Sequence, residues 1–239
     1  MRKSFGAKAI CYPMPVFIIG TYNADGTPNA MNAAWGGISE ETEITICVDA
    51  GHKTAENLMT RKAFTVSMAT ANHVAACDYV GLVSGNKEPD KFAKAGFHAT
   101  KSEYVDAPLI DELPMALECE VISYDAETCR LVGRIVNVAA DESVLGENGK
   151  VDVGKLRPIT FDTMNNQYLI LGEKVGQAFH DGVALKYTAE ARALNPGFIL
   201  SFQANLPYHS TVYGQASKPD VWSTLSFGQF FIHMLIALH

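Results

Sequence analysis

Residues 16–35 (VFIIGTYNADGTPNAMNAAW) commit the chain to an antiparallel hairpin. Residues 16–22 are β-branched and aromatic enough for a strand, and Asn23-Ala24-Asp25-Gly26 ends in the Asp-Gly pair of a tight turn. The returning strand should be rich in Val, Ile and Thr. It holds Asn29, Ala30, Met31, Asn32, Ala33 and Ala34 before Trp35. Alanine and asparagine cover little of a pleated surface and are depleted in strands. So thin a strand needs a reason outside its own propensity.

The next segments extend the pattern. Residues 43–49 (EITICVD) and 63–69 (AFTVSMA) read as strands, with a helix over 54–62 (TAENLMTRK) between them. Asn72 is expected to cap a helix over about residues 73–80. Pro89 suits a first helical turn, with 90–95 helical and Gly96 closing it. Residues 117–122 alternate as a half-exposed strand, 125–128 turn, and 129–138 (CRLVGRIVNV) return. Residues 169–172 close the last strand, and 177–179 read as a terminal turn. Short strands with helices inserted between them predict a mainly β, closed antiparallel barrel rather than a parallel doubly wound sheet.

Composition sets the outer limits. A hydrophobic content of 48% and a charged content of 19% over 239 residues fit a soluble globular protein of one large or two small domains. A net charge of -7 weighs against nucleic acid as a partner, since phosphate backbones select basic faces. No apolar run reaches the roughly 18 residues of a membrane span, and MRKSFGAKAI lacks the apolar core of a secretory signal. Five cysteines without a C-x-x-C pair read as reduced thiols of a cytoplasmic protein, most of them small buried hydrophobes. Residues 187–239 hold only four charged side chains but nine of the 23 aromatic ones. That shift places a domain over 1–186 and an apolar extension over 187–239. The extension's lack of charge and of clear period reads as non-native or poorly ordered sequence.

Three stretches carry chemistry. At the strand-to-helix junction VDAGHKT, Gly51 allows a bend, Thr54 is expected to cap, and His52 and Lys53 precede it. A helix N-terminus presents free amides and partial positive charge, which suits an anion such as phosphate. The alternative is an ordinary cap with a solvated lysine. Asn57, at the capping-box position, either caps the turn or reaches a ligand. On the thin strand Asn29, Met31, Ala33 and Trp35 share one face, opposite Ala30, Asn32 and Ala34. Small side chains let a flat, polar-edged ligand lie against the backbone, or else they admit a large neighbour inside a packed barrel. In DYVGLVSGNK, Ser84 and the amides around Gly85 suit a second anion cradle, with Lys87 as counter-charge. Ser67, Met68 and Ala69 end a strand and permit close ligand approach. Together these favour a phosphorylated flat cofactor.

Dinucleotide, Walker, zincin and nucleophile-elbow motifs are missing from the sequence. The seven histidines lack metal-ligand spacing, so no metal is expected. Glu40-Glu41 and Glu118/Glu120 read as solvated faces.

The stretches KSFGAK, TPNAMNAAWGG, GHKTAEN, FTVSMA, DYVGLVSGNKEPDKF and NQYLILGEKVGQAF, in that order over residues 1–186, resemble the flavin reductase-like, FMN-binding split-barrel family of the flavoredoxin type. The resemblance implies a six-stranded, Greek-key-like split barrel that forms a homodimer, with one FMN per subunit near the interface. It implies that Asn32, Ala33 and Ala34 line the isoalloxazine ring, with Asn29, Met31 and Trp35 beside it. His52, Lys53, Thr54 and Asn57 match the phosphate side, Ser67, Met68 and Ala69 the strand flanking the ring, and Ser84, Gly85 and Lys87 the second loop. Such proteins reduce free flavin with NAD(P)H or carry electrons to and from a redox protein on bound FMN. The cofactor does the chemistry, and no side chain is nominated as catalytic. The competing reading is a non-catalytic module for FMN, haem or another flat cofactor.

Overall fold

The computed structural model describes residues 1–183 and 185. Its hairpin forms as read. β1 (Phe17–Tyr22) and β2 (Pro28–Ala33) pair antiparallel, from Phe17 opposite Ala33 to Tyr22 opposite Pro28. Gly26 takes φ 87°, and the Asn23 N–H donates to the Thr27 carbonyl at 2.8 Å. Asp25 reinforces the turn by accepting from both the amide and the hydroxyl of Thr27.

Beyond it come β3 (Gly36–Glu40), β4 (Glu43–Cys47), α1 (Lys53–Arg61), β5 (Ala63–Met68), α2 (Val74–Leu82) and α3 (Lys91–Lys94). Two short strands, β6 (Ala99–Lys101) and β7 (Pro108–Ile110), lead to the long hairpin β8 (Met115–Asp125) and β9 (Arg130–Ala140). A single helical turn, α4 (Val153–Leu156), precedes the last pair, β10 (Ile159–Asp162) and β11 (Gln167–Ile170). The main sheet is antiparallel and runs β2-β1-β5-β8-β9-β4-β3, while β6-β7 and β10-β11 form separate pairs. This curled, split-barrel sheet matches the predicted class, with seven strands where six were expected because β3 adds to its edge. β3, β6, β7 and β10 are additions to the sequence reading.

Both faces of the sheet are buried at β1, which explains its unbroken apolar run. Phe17 and Ile19 join Ile44, Ile46, Phe64, Val66 and Leu131 on one side, where α1 contributes Ala55 and Leu58. Val16 and Ile18 join Cys77, Val80, Phe92, Phe97 and Ile159 on the other. β2 follows suit, with Met31 and Ala33 in the first layer and Ala30 in the second. Part of the thin strand's reason is therefore helix packing. A Cβ at Gly81 of α2 would stand 2.8 Å from Asn32 Cβ, so helix and strand approach closely only because both are small there. Asn32 seals the contact by donating to the Cys77 carbonyl at 3.0 Å.

Several local expectations are corrected. Residues 71–73 form a 3-10 turn before α2, and the Asn72 side chain accepts from Arg157 instead of capping. α1 begins one residue before Thr54, with His52 at the cap position. Glu118 is buried, not solvated: Ser102 and Asn137 both donate to its carboxylate. Only Cys77 and Cys119 of the five cysteines are buried, and burial pushes their thiols up to about 11 and about 12.

By its internal contacts the chain separates into residues 1–174 and 175–239. In the described part of the second unit, the amides of His180 and Asp181 donate to the Gln177 carbonyl in a turn. The boundary expected at Lys186 and the extension over 187–239 lie outside the described residues. Among the described residues no helix is long and apolar enough to cross a membrane.

Candidate functional site

The N-terminus of α1 and the loop after α2 face one another across the end of β2. Asp49 Oδ1 takes the Gly51 amide at 2.8 Å, and the His52 amide donates to the Asp49 carbonyl at 3.1 Å. The bend thus turns the chain into α1. His52 makes no side-chain capping bond, so the amides that open the helix lack the side-chain acceptor they usually have. Lys53 lies beside them, paired with Glu56 at 2.8 Å. Across the gap, Asn86 Nδ2 donates to the Gly51 carbonyl at 3.0 Å and ties the two loops together. Gly85 fits between them: a Cβ there would stand 2.8 Å from Asn29 Oδ1 and 3.1 Å from Lys53 Cβ.

A cleft of about 210 Å³ opens here, lined by Met31 and Asn32, by His52, Lys53 and Thr54, by the 80–85 segment, and by Lys91. Lys91 is buried, donating from Nζ to the Val80 and Val83 carbonyls at 2.9 and 3.1 Å, and caps the C-terminus of α2. Burial lowers its ammonium to about 8. An ammonium carries three donors, so one N–H has no protein partner among the described residues. Helix amides, two lysines and the Thr54 hydroxyl make the cleft a place for an anion.

The cleft brings together seven sequence-nominated residues: Met31, Asn32, His52, Lys53, Thr54, Ser84 and Gly85. Asn29 lies behind it, buried, donating to Thr21 and Thr54. Asn57 is also buried, donating to Thr21 and Asn23. Ala33, Met68 and Ala69 pack in the two apolar layers. Ser67 is buried with its hydroxyl unpartnered. Lys87 is exposed. Ala34 and Trp35 border a second, open groove of about 530 Å³ with Lys8, Cys11, Cys47 and Arg130, where Trp35 is 59% exposed. Sequence reasoning missed Lys91 and Asn86. A lysine in a short polar helix carries no sign of burial, and a loop asparagine reads as turn chemistry.

Against known proteins, the family model described as flavin reductase like domain matches residues 9–161. The chain belongs to the flavin reductase-like family. Flavoredoxin of Desulfovibrio vulgaris (Miyazaki F) is 38% identical over 76% of this chain and 100% of its own, with a TM-score of 0.73. Flavoredoxin from Methanosarcina acetivorans is 28% identical over 77% of this chain and 98% of its own, with a TM-score of 0.67. Nitrilotriacetate monooxygenase component B from Bacillus cereus, 22% identical over 69% of this chain and 87% of its own with a TM-score of 0.59, shares the fold. No curated protein matches the chain.

Proposed function

We propose that this chain is an FMN-dependent oxidoreductase or electron carrier that holds the cofactor by its phosphate in the α1 cleft. The carrying observation is the donor set. An uncapped helix start, the Thr54 hydroxyl, Lys53 and Lys91 converge on one small space, and such a set suits a dianionic phosphate monoester. FMN supplies the hydride or electron transfer when bound. The protein's part is to bind, orient and screen it. Lys53 and the α1 amides neutralise the phosphate, and Asn32 and Met31 lead from it along β2 toward Ala33, Ala34 and Trp35. No side chain is needed as an acid or base.

About 210 Å³ is less than the roughly 300–1,000 Å³ of ligand pockets in general. The cleft therefore takes the phosphate end, and a flavin ring needs further wall. A second copy of the chain supplies it in this reading, making the protein a homodimer. Electrons enter from NAD(P)H or from a reduced redox protein. Stopped-flow mixing of the FMN-loaded protein with NADH and NADPH separates the roles. Bleaching of the flavin bands at catalytic rates marks a reductase, and persistence marks a carrier with a protein donor. Failure to bind FMN at all contradicts both.

A further inference from the structure

Behind the cleft runs a buried chain of side-chain hydrogen bonds that ends on Thr54. Asn57 Nδ2 donates to Thr21 Oγ1 at 3.0 Å and to Asn23 Oδ1 at 2.9 Å. Asn29 Nδ2 donates to the same Thr21 oxygen at 3.3 Å and to Thr54 Oγ1 at 3.1 Å. Thr21, Asn29, Thr54 and Asn57 are 0–3% exposed. Arg61 anchors the far end, donating to the Asn23 and Ala24 carbonyls at 2.6 and 3.1 Å.

The direction of these bonds decides what Thr54 offers. A hydroxyl has one proton to give and two lone pairs. The Asn29 amide nitrogen only donates, so the Thr54 oxygen serves it as acceptor. No protein group among the described residues accepts the Thr54 proton in return, and Thr54 lines the cleft. The network thereby reserves that proton for a ligand oxygen. Asn29 is fixed for this task on its other side too, where its Oδ1 packs against Gly85.

We propose that Asn29 is a positioning residue that holds Thr54 as a hydrogen-bond donor to phosphate, and so sets the preference for phosphorylated over unphosphorylated flavin. This rests on the phosphate reading of the cleft. The resemblance puts Asn29 beside the flavin ring, whereas the network assigns it to the opposite end of the cofactor.

The test is the ratio of FMN to riboflavin affinity, from fluorescence quenching, in the wild type, Asn29→Ala, Thr54→Val, Thr54→Ser and the double variant Asn29→Ala/Thr54→Val. A hydrogen bond to a charged acceptor corresponds to about tenfold in affinity. Asn29→Ala and Thr54→Val should each lower the ratio about that much. Thr54→Ser should keep it, and the double variant should match Thr54→Val alone. A wild type that prefers FMN while Asn29→Ala leaves the ratio unchanged, or additive losses in the double variant, overturns the role of Asn29 and leaves the phosphate reading standing. A wild type that binds FMN and riboflavin equally overturns both. If Asn29→Ala does not fold, Thr54 decides: loss in Thr54→Val with retention in Thr54→Ser supports the proposal, and an unchanged ratio in Thr54→Val overturns it.

Discussion

The two openings that flank the end of β2 are built in opposite ways. The cleft bordered by Met31 and Asn32 is small, walled by the N-terminus of one helix and the C-terminus of another, and backed by a buried polar network. The groove bordered by Ala34 and Trp35 is wide and open, floored by an exposed indole and edged by Lys8 and Arg130. Second-layer hydrogen bonds fix donor directions in the first. In the second, Trp35 is largely exposed. A charged group needs the first kind of wall, because misdirected donors forfeit most of the benefit in a desolvated site. A flat apolar ring tolerates the second kind once another surface covers it.

The largest expected separation comes from Gly85→Val. The added side chain would drive into Asn29 and Lys53, and displacing a donor to a charged phosphate forfeits about 2 kcal/mol, or about thirtyfold in Kd for FMN. Isothermal titration should show that loss for FMN and little for riboflavin. Equal losses for both would mean that the cleft does not read phosphate.

pH gives a smaller effect with a distinctive sign. Lys91, held at about 8 by burial, is charged below that pH and neutral above it, so FMN affinity should fall about tenfold between pH 7 and 9. Stability of the cofactor-free protein should move the other way. The unfolded chain keeps the lysine proton up to its ordinary 10.5, the folded one releases it near 8, and folding gains from rising pH between those values. Lys91→Met should flatten both trends in fluorimetric titrations and thermal melts. A retained pH dependence of FMN affinity would remove Lys91 from the site.

The smallest shift in the phosphate readout is expected from Trp35→Ala. Trp35 borders the groove, not the cleft. The FMN-to-riboflavin ratio should therefore change less than about threefold, below a single hydrogen bond, while the absorption envelope or potential of bound flavin shifts. A collapse of the ratio would break the division between the two openings.

The hairpin, the strand–helix–strand run over 43–69 and the β8–β9 pair were legible because each depends on local periodicity and turn chemistry. β3 escaped notice because Gly36 and Gly37 lack strand propensity. It forms because Gly36 and Gly37 pair with Ile46 and Thr45 of β4, a non-local cause. At the candidate site, the helix start at residues 52–54 and the Ser84–Gly85 loop were nominated from local motifs, and the structure places them on one cleft. The burial and hydrogen bonding of Asn29 and Asn57 were not legible. An asparagine in a thin strand reads as a ligand contact, and only the three-dimensional register shows it buried against Thr21 and Thr54. Glu118 was misread because strand alternation says which residues share a face but not which faces are covered.

The most direct test of the central claim is the absorption spectrum of the purified protein before and after addition of FMN, followed by gel filtration to remove unbound flavin. The account predicts oxidised-flavin bands that travel with the protein, with FMN as the flavin released on denaturation. A colourless protein that retains no added FMN would contradict it.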